Sequence, residues 1–359
     1  MLFFELIQVS LGTRIKLSHT PSEEEWAMLY DMSQKQSVSG LAFLSLDKLS
    51  ENGQKPPLNI LYDWIGLSEQ IKKQNILLDR RTIDISNLFA AANFRTCILK
   101  GQGNSRLYPV PSSRTPGDID IWVYGYKHHK TNQKCLRNRI LEFVKERTTK
   151  AREQYHHIDF PIYDDVSVEV HFTPGRLLNP IYNRRFQKFC IANSELSTIR
   201  IKNDIDVDVP NIVFNAVYQM AHIMIHFFIE GIGLRHFVDY YYVLTNINEG
   251  LRDEIIVNFH HLGLDKFARG VMWIEHYCLG LDKEHLLLEP SEKIGRIIQT
   301  EMLEGGNFGH YDQRYKIRNK GYLMRGLVDS FRLMRFAFFF PQDVFWKLLL
   351  KIENQRWKI

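Results

Sequence analysis

Cysteine is scarce in this chain of 359 residues, and the four that occur are scattered without a C-x-x-C pair. They are Cys97, Cys135, Cys190 and Cys278. Such spacing argues against a disulfide framework and a zinc ribbon, and it is typical of reduced thiols. We therefore expect the protein to reside in the cytoplasm.

The sequence also lacks an uninterrupted apolar segment and a secretion signal. The longest apolar stretch, residues 213–234, is interrupted by polar and ionisable side chains, which predicts a buried helix. Residues 1–6 contain neither a basic n-region nor a small-residue cleavage site, so they do not predict a signal peptide. No internal repeat or low-complexity segment is evident. These absences favour a globular enzyme over a fibrous or membrane protein.

The basic character of the chain is concentrated at one end. The net charge is +5, and residues 311–359 hold eleven Lys or Arg against four Asp or Glu, a local net charge of +7. This tail is also rich in Phe and Trp, so it could meet nucleic acid, a membrane surface or an acidic partner. We favour packing around Pro341, with Arg332 and Arg335 on a solvated face, because exposed aromatic patches of that size are rare.

Acidic and apolar residues alternate in two segments. In residues 117–123, Gly-Asp-Ile-Asp-Ile-Trp-Val, an extended strand would place Asp118 and Asp120 on one face, about 7 Å apart. Residues 168–171, Val-Glu-Val-His, present Glu169 in the same way. Either segment alone is more often the solvent face of a half-buried strand. If the strands are neighbours, three carboxylates meet, and hard oxygen ligands suit Mg²⁺ or Mn²⁺.

The segment before these acids has a composition suited to anions. It reads Lys-Gly-Gln-Gly-Asn-Ser-Arg over residues 100–106. Gly101 and Gly103 would let backbone N–H groups approach an anion at a helix start. Charge and a hydroxyl would come from Lys100, Ser105 and Arg106. Taken alone, the same segment is typical of an ordinary strand-to-helix turn.

Together these segments resemble a known family. In chain order they are Leu-Lys-Gly at 99–101, Tyr-Pro at 108–109, Arg114, Gly-Asp-Ile-Asp at 117–120 and Glu-x-His at 169–171. This order resembles the polymerase-β-like nucleotidyltransferase superfamily, and within it a bacterial family of uncharacterised nucleotidyltransferases, over about residues 85–245. The resemblance implies an α+β fold, in which a small mixed sheet with helices forms a polymerase-β-like core. A helical N-terminal extension and a helical C-terminal half would flank that core.

The resemblance also implies an activity and a set of site residues. The activity is metal-dependent transfer of NMP from an NTP, by default ATP, to a hydroxyl acceptor with release of pyrophosphate. The acids that would hold Mg²⁺ or Mn²⁺ are Asp118, Asp120 and Glu169. The side chains expected to neutralise the leaving phosphates are Lys100, Ser105, Arg106 and Arg114, in falling order, beside the glycines Gly101, Gly103 and Gly117. The superfamily usually has Gly-Ser or Gly-Gly after the first strand, and this chain departs from that, so the triphosphate-binding group stays open.

Histidines and one charged pair complete the candidates. His171 shares a strand face with Glu169, so it would orient a metal ligand or bind a phosphate, or it is an ordinary strand histidine. His222 and His226 have metal-ligand spacing, but the glutamate of a zinc-protease helix is missing, so a zinc site is not favoured. Arg235 and Asp239 are expected to form a helix salt bridge. The resemblance implies that this helical module forms the far wall of the cleft.

Periodicity and punctuation divide the chain into segments. Strands are predicted at 96–100, 117–123, 156–163 and 166–172, with a long basic helix over 128–150. The predicted units are a helical extension at 1–81, the catalytic core at 82–190, the far-wall helices at 191–310 and the tail at 311–359. Two other functions remain open, a non-catalytic antitoxin-like or regulatory protein that keeps the fold and a metal-dependent phosphotransferase.

Overall fold

The structure is a computed structural model, and it describes residues 1–126, 132–194, 196–201, 205–314, 328 and 330–356. It has the predicted α+β composition, with a five-stranded mixed sheet between two sets of helices. The fold class expected from the sequence is therefore confirmed.

Five helices precede the first strand. They are α1 (Leu2–Leu11), α2 (Glu23–Lys35), α3 (Ser39–Phe43), α4 (Ser45–Glu51) and α5 (Leu58–Ala91). A capping box begins α2, because the Ser22 side chain accepts from the Glu25 backbone N–H and the Glu25 carboxylate accepts from the Ser22 N–H. These reciprocal bonds satisfy two backbone donors that a helix start leaves without intrahelical partners.

The sheet joins strands from three parts of the chain. Its strands are β1 (Phe94–Leu99), β2 (Ile119–Tyr126), β3 (Arg152–Glu153), β4 (His157–Asp159) and β5 (Val168–His171). The spatial order is β1-β2-β5-β4-β3, with β2 and β5 parallel and the other neighbours antiparallel. A separate hairpin, β6 (Leu196–Arg200) with β7 (Asp206–Pro210), lies against β1.

Helices connect and cover these strands. They are α6 (Gly101–Ser105), α7 (Gln133–Lys145), α8 (Pro180–Ala192), α9 (Ile212–Ile229), α10 (Leu234–Thr245), α11 (Arg252–Leu262), α12 (Asp265–Trp273), α13 (Glu292–Gly305) and α14 (Pro341–Arg356). Short 3-10 turns lie at Pro111–Ser113, Glu249–Leu251, Lys283–His285 and Asn307–Gly309, and Ile274–Cys278 form a π-helix. The basic helix predicted over 128–150 is observed as α7, and residues 128–131 of that prediction lie outside the described chain.

Two hydrophobic cores flank the sheet, and α5 contributes to both. Leu78, Ile85 and Phe89 pack beneath the sheet with the inward apolar residues of the strands. Ile60 and Trp64, in the first half of the same 34-residue helix, join the core of α1–α4 and the C-terminal helices. The helix therefore crosses the domain boundary predicted at residue 81. The domain bounds themselves stay a prediction.

Helix α9 is long and apolar enough to cross a bilayer by length and composition. Of its 18 residues, 72% are buried inside the protein, where they contact α10, α11 and α14. The core helix of a globular protein has the same properties. This burial agrees with the buried helix predicted for residues 213–234.

Part of the aromatic tail is packed. Phe336 and Phe340 are buried against Phe227 of α9, with ring centroids 4.7 and 6.4 Å from it. Phe338, by contrast, is 79% exposed, so the predicted packing of the aromatic tail is wrong at that position. Helical backbone over 330–334 turns successive side chains to different sides, and the following turn leaves Phe338 outside.

The two arginines of the tail differ in exposure: Arg335 is exposed, as predicted for a solvated face, whereas Arg332 is half-buried. Arg335 Nη2 lies 2.7 Å from Oε1 of Glu301, and Arg332 Nη2 donates to the Phe227 carbonyl at 2.7 Å. Glu301 is buried in α13 and also binds Arg314. A buried carboxylate needs cationic partners, and these arginines supply them.

Candidate nucleotidyl-transfer site

The sheet register brings the two acidic segments together. Asp120 of β2 pairs directly with Glu169 of the parallel strand β5. Side chains alternate along both strands, so Ile121 and Val170 point to the opposite face and lie fully buried in the sheet core. The carboxylates therefore share the face that looks into a cleft of about 570 Å³. The strands β2 and β5 are therefore neighbours in the sheet, as the sequence prediction required.

Asp118 lies just before β2, at the rim of the same cleft. Repulsion from Asp120, and then burial in the cleft, raise the pKa of Asp118 above its ordinary value. Two carboxylates that resist joint ionisation form a place where a cation would be stabilised. Asp118 nevertheless lies outside the tighter group of Asp120, Glu169 and His171, whose donor atoms are all within 4.8 Å of one another.

Asp120 is the buried centre of the site. Lys100 Nζ lies 3.0 Å from its Oδ2, and His171 Nε2 lies 2.8 Å from its Oδ1. Burial alone would raise the pKa of Asp120, but the charge of Lys100 and the hydrogen bond from His171 outweigh it and lower the pKa. Both oxygens of the carboxylate are thus held by donors of the protein itself.

Lys100 reaches Asp120 through an unusual backbone conformation. Its φ is 48° and its ψ −138°, a region that non-glycine residues rarely occupy, and Gly101 follows with φ 40°. Burial lowers the pKa of Lys100, but the nearby carboxylates more than offset this effect, so the net shift is upward. Lys100 is therefore a cation, held at the point where β1 ends and the cleft begins. Strain of this kind clusters at functional sites.

Three histidines line the acidic side of the cleft. His171 Nε2 lies 3.4 Å from Glu169 as well as beside Asp120, and these bonds overcome burial to raise the pKa of His171 to about 9. His157 Nδ1 lies 3.5 Å from Glu169 Oε2. His156, with its ring 5.3 Å from that of His171, also lines the cleft. Of the two neighbours, His157 approaches an acid, whereas His156 contacts the rings of His157 and His171.

The predicted phosphate-binding residues divide into two groups. Lys100, Gly101, Arg114 and Gly117 line the cleft. In the described part of the chain, the other three, Gly103, Ser105 and Arg106, do not line the cleft.

Each of these three has another neighbour in the fold. A Cβ on Gly103 would lie 3.3 Å from Val209, so this glycine is in contact with β7. Ser105 is fully buried and donates to the Gln102 carbonyl at 2.9 Å. Arg106 binds Asp79 of α5 at 2.8 Å. The sequence pattern could not distinguish these packing partners from an anion.

Arg114 has a buried partner that the sequence did not indicate. Its Nε and Nη2 each lie 2.8 Å from the carboxylate of Asp239, which also accepts from the Tyr108 hydroxyl at 2.7 Å. The predicted Arg235–Asp239 pairing is therefore replaced by a bond across the fold. Arg235 donates instead to the carbonyls of Thr115 and Pro116, both at 3.3 Å, beside Asp118.

The far wall of the cleft comes from α9 and α10. Its ionisable residues include His222, His226, His236 and Arg235, and none of them was assigned a site role from the sequence. The helical periodicity of these segments indicated burial, and it gave no signal of which residue would face the acids. The signals available in the sequence were the metal-ligand spacing of His222 and His226 and the far wall that the resemblance implies.

Acidic residues thus lie on adjacent strands of a small mixed sheet, across a cleft from a helical module. A sequence model of the family described as uncharacterised nucleotidyltransferase matches residues 22–280. The chain belongs to that family, and the resemblance noted in the sequence is confirmed.

Solved structures were also found to be similar. One of them is the crystal structure of an antigenic nucleotidyltransferase-like protein from Paracoccidioides brasiliensis, 13% identical, covering 64% of this chain and 98% of that one with a TM-score of 0.33. No curated protein is significantly similar to the chain.

Proposed function

We propose that the protein transfers a nucleoside monophosphate from an NTP to a hydroxyl acceptor and releases pyrophosphate. The observation that carries this proposal is the in-register pair Asp120–Glu169, with Asp118 at the same cleft, in a chain of the nucleotidyltransferase family. ATP is the first nucleotide to test.

The donor set fits a hard divalent cation. Asp118, Asp120 and Glu169 offer carboxylate oxygens to one cleft, and the repulsion between the two aspartates would be relieved by a positive ion. These residues would hold Mg²⁺ or Mn²⁺, which when bound would neutralise phosphate charge and lower the pKa of the acceptor hydroxyl.

The other residues of the cleft would position the triphosphate. Lys100 brings a fixed positive charge to within 3.0 Å of Asp120, and Arg235 adds a second cation beside Asp118. Gly101 and Gly117 line the same rim, so their backbone allows close approach of phosphate oxygens. Cations fixed in a partly buried cleft stabilise the charge that develops on the leaving group.

The reaction is an in-line displacement at the α-phosphorus. The acceptor oxygen bonds to that phosphorus while the bond to the oxygen bridging the β-phosphate breaks, and pyrophosphate leaves with the electron pair. The proton of the acceptor hydroxyl passes to water in the cleft. The acids on the sheet would position the triphosphate. The acceptor would bind between them and the wall formed by α9 and α10.

Product analysis tests this function. The protein is incubated with each α-³²P-labelled NTP, with Mg²⁺ or Mn²⁺ and a cell extract, and pyrophosphate and labelled products are measured. We expect pyrophosphate and a labelled acceptor. Release of ADP from ATP would indicate a phosphotransferase, and the absence of both products with every NTP would indicate a binding protein. The double variant Asp118→Asn, Asp120→Asn is the matched control.

A further inference from the structure

A second group of metal-type ligands lies on the helical wall of the cleft. His222 and His226 are one turn apart on α9, and His236 approaches them from α10. Their ring centroids are 4.2, 5.5 and 5.9 Å apart, and one ring nitrogen from each lies within 4.8 Å of the other two. Three imidazoles from two helices thus converge on one point of the cleft lining.

We propose that His222, His226 and His236 bind a divalent transition-metal ion, Zn²⁺ in the first instance, with a further coordination position open to the cleft. Three protein ligands with an open position are typical of zinc sites that bind a water or a substrate. Nitrogen ligands also distinguish this site from the carboxylate site, because imidazole favours Zn²⁺ while carboxylate oxygens favour Mg²⁺. The proposal does not depend on the proposed nucleotidyl transfer.

Hydrogen bonds around the cluster orient two of the rings. His236 Nδ1 lies 3.3 Å from the Gly233 carbonyl, and His226 Nδ1 lies 3.0 Å from a carboxylate oxygen of Glu230. A carbonyl or a carboxylate only accepts, so in both rings Nδ1 carries the proton and donates. The Nε2 lone pair of each ring is then free to coordinate an ion. Histidine ligands of metals in proteins are oriented by such partners.

The surroundings also favour the neutral form that a ligand needs. Burial, followed by the charge of Lys100, depresses the pKa of His222 well below its ordinary value. Burial and then Arg235 do the same for His236. A neutral imidazole coordinates without first losing a proton. This effect supports the site, and the convergence of the three rings defines it.

The acidic side of the cleft holds a competing group. His156, His157 and His171 also have ring nitrogens within 4.8 Å of one another. There, however, His171 Nε2 is already bonded to Asp120 and lies near Glu169, with Lys100 on the other oxygen of Asp120. The Nε2 atom of His171 is thus already engaged by a carboxylate, so the α9–α10 cluster is the preferred nitrogen site.

Metal titration of the full chain tests the proposal. Protein stripped with EDTA is titrated with Zn²⁺ against a chromophoric chelator, and with Co²⁺ while the visible ligand-field absorption is recorded. We expect one tight equivalent with a four-coordinate Co²⁺ spectrum. In His236→Gln and His226→Ala the affinity for Zn²⁺ should fall about 100-fold or more, as for loss of a direct ligand.

Matched variants locate the ion. His157→Ala and the exposed His261→Ala should keep the tight equivalent, since neither belongs to the proposed cluster. Glu230→Gln changes a half-exposed side chain that only orients His226, so it should weaken Zn²⁺ binding by roughly 10- to 100-fold without a change in folding. Tight binding that survives His236→Gln, or that His157→Ala abolishes, would overturn the proposal. So would a wild-type protein that fails to bind Zn²⁺ tightly.

Discussion

At the scale of single residues, Asp118 and Asp120 have the same chemistry and different surroundings. Asp120 is 3% exposed and holds both Lys100 and His171, whereas Asp118 is open to the cleft and mainly repels Asp120. A buried acid with two donors contributes to stability, and an acid that suffers repulsion does not.

The two aspartates should therefore separate activity from stability. Asp118→Asn and Asp120→Asn should each lower nucleotidyl transfer about 100-fold, because each removes a charged oxygen ligand. Without metal, Asp120→Asn should cost about 2–3 kcal/mol of unfolding free energy, since it leaves Lys100 and His171 without their anion. Asp118→Asn should leave the melting temperature unchanged or slightly higher. Urea unfolding and the transfer assay measure these effects, and full activity in the double variant would refute the site.

Lys100 and Arg114 both line the cleft, and we expect only Lys100 to bind phosphate, because two nitrogens of Arg114 are bound by Asp239. Lys100→Ala should weaken NTP binding more than NMP binding, because the β and γ phosphates carry the charge that it meets. Arg114→Ala should instead cost about 3–5 kcal/mol of stability, because it leaves Asp239 as a buried charge without its cation. Calorimetry with both nucleotides and chemical unfolding separate the roles. Equal losses of NTP and NMP affinity in Lys100→Ala would contradict its assignment.

At the scale of elements, the π-helix after α12 contains a buried acid. Glu275 is fully buried, and neither of its oxygens has a hydrogen-bond partner among the described residues. Burial raises its pKa well above its ordinary value of about 4.5. The unfolded chain releases this proton above that pH while the folded chain keeps it. The free energy of unfolding therefore falls as the pH rises from about 4.5 towards the folded-state pKa.

Glu275→Gln should remove this loss. The variant should exceed the wild type in unfolding free energy by almost nothing at pH 4.5 and by about 1–3 kcal/mol at pH 8. This is the usual cost of leaving a buried polar group without a hydrogen-bond partner. Urea unfolding across this pH range measures it. An equal difference between the two proteins at both pH values would show that ionisation of Glu275 is not the cause.

The tail offers a matched pair of phenylalanines. Phe336 is 1% exposed against α9, and Phe338 is 79% exposed two residues later. Phe336→Ala should cost about 3–5 kcal/mol, the usual loss for a buried aromatic side chain, and Phe338→Ala should cost almost nothing. Thermal unfolding of both variants checks this. Equal destabilisation would mean that Phe338 is covered in solution.

At the scale of the whole molecule, α5 connects the sheet core to the helical core. A fragment of residues 82–190 would keep only the last ten residues of this helix, 82–91, and would lose both Leu78 and Trp64. We expect this fragment to lack the cooperative unfolding of the full chain. Circular dichroism on heating compares them, with a fragment that begins at Leu58 as the control. A sharp transition in the shorter fragment would support the predicted domain boundary.

The sequence by itself determined the acidic face of the sheet. In β2 and β5 alternation decides which side chains share a face, so Asp120 and Glu169 could be separated from Ile121 and Val170 without any structure. The order of the motif segments along the chain also indicated the family, because these segments follow one another within the matched residues 22–280. Both properties depend on neighbouring residues or on order along the chain, so they can be read from the sequence alone.

Only the tertiary structure decided which distant groups meet. Arg114 binds Asp239, 125 positions away, and Arg106 binds Asp79 of α5, although both arginines had been predicted to contact phosphate. His236 joins His222 and His226 because α10 packs on α9. Helical periodicity indicates which side of a helix is buried, but the partner on that side depends on how the helices pack against each other.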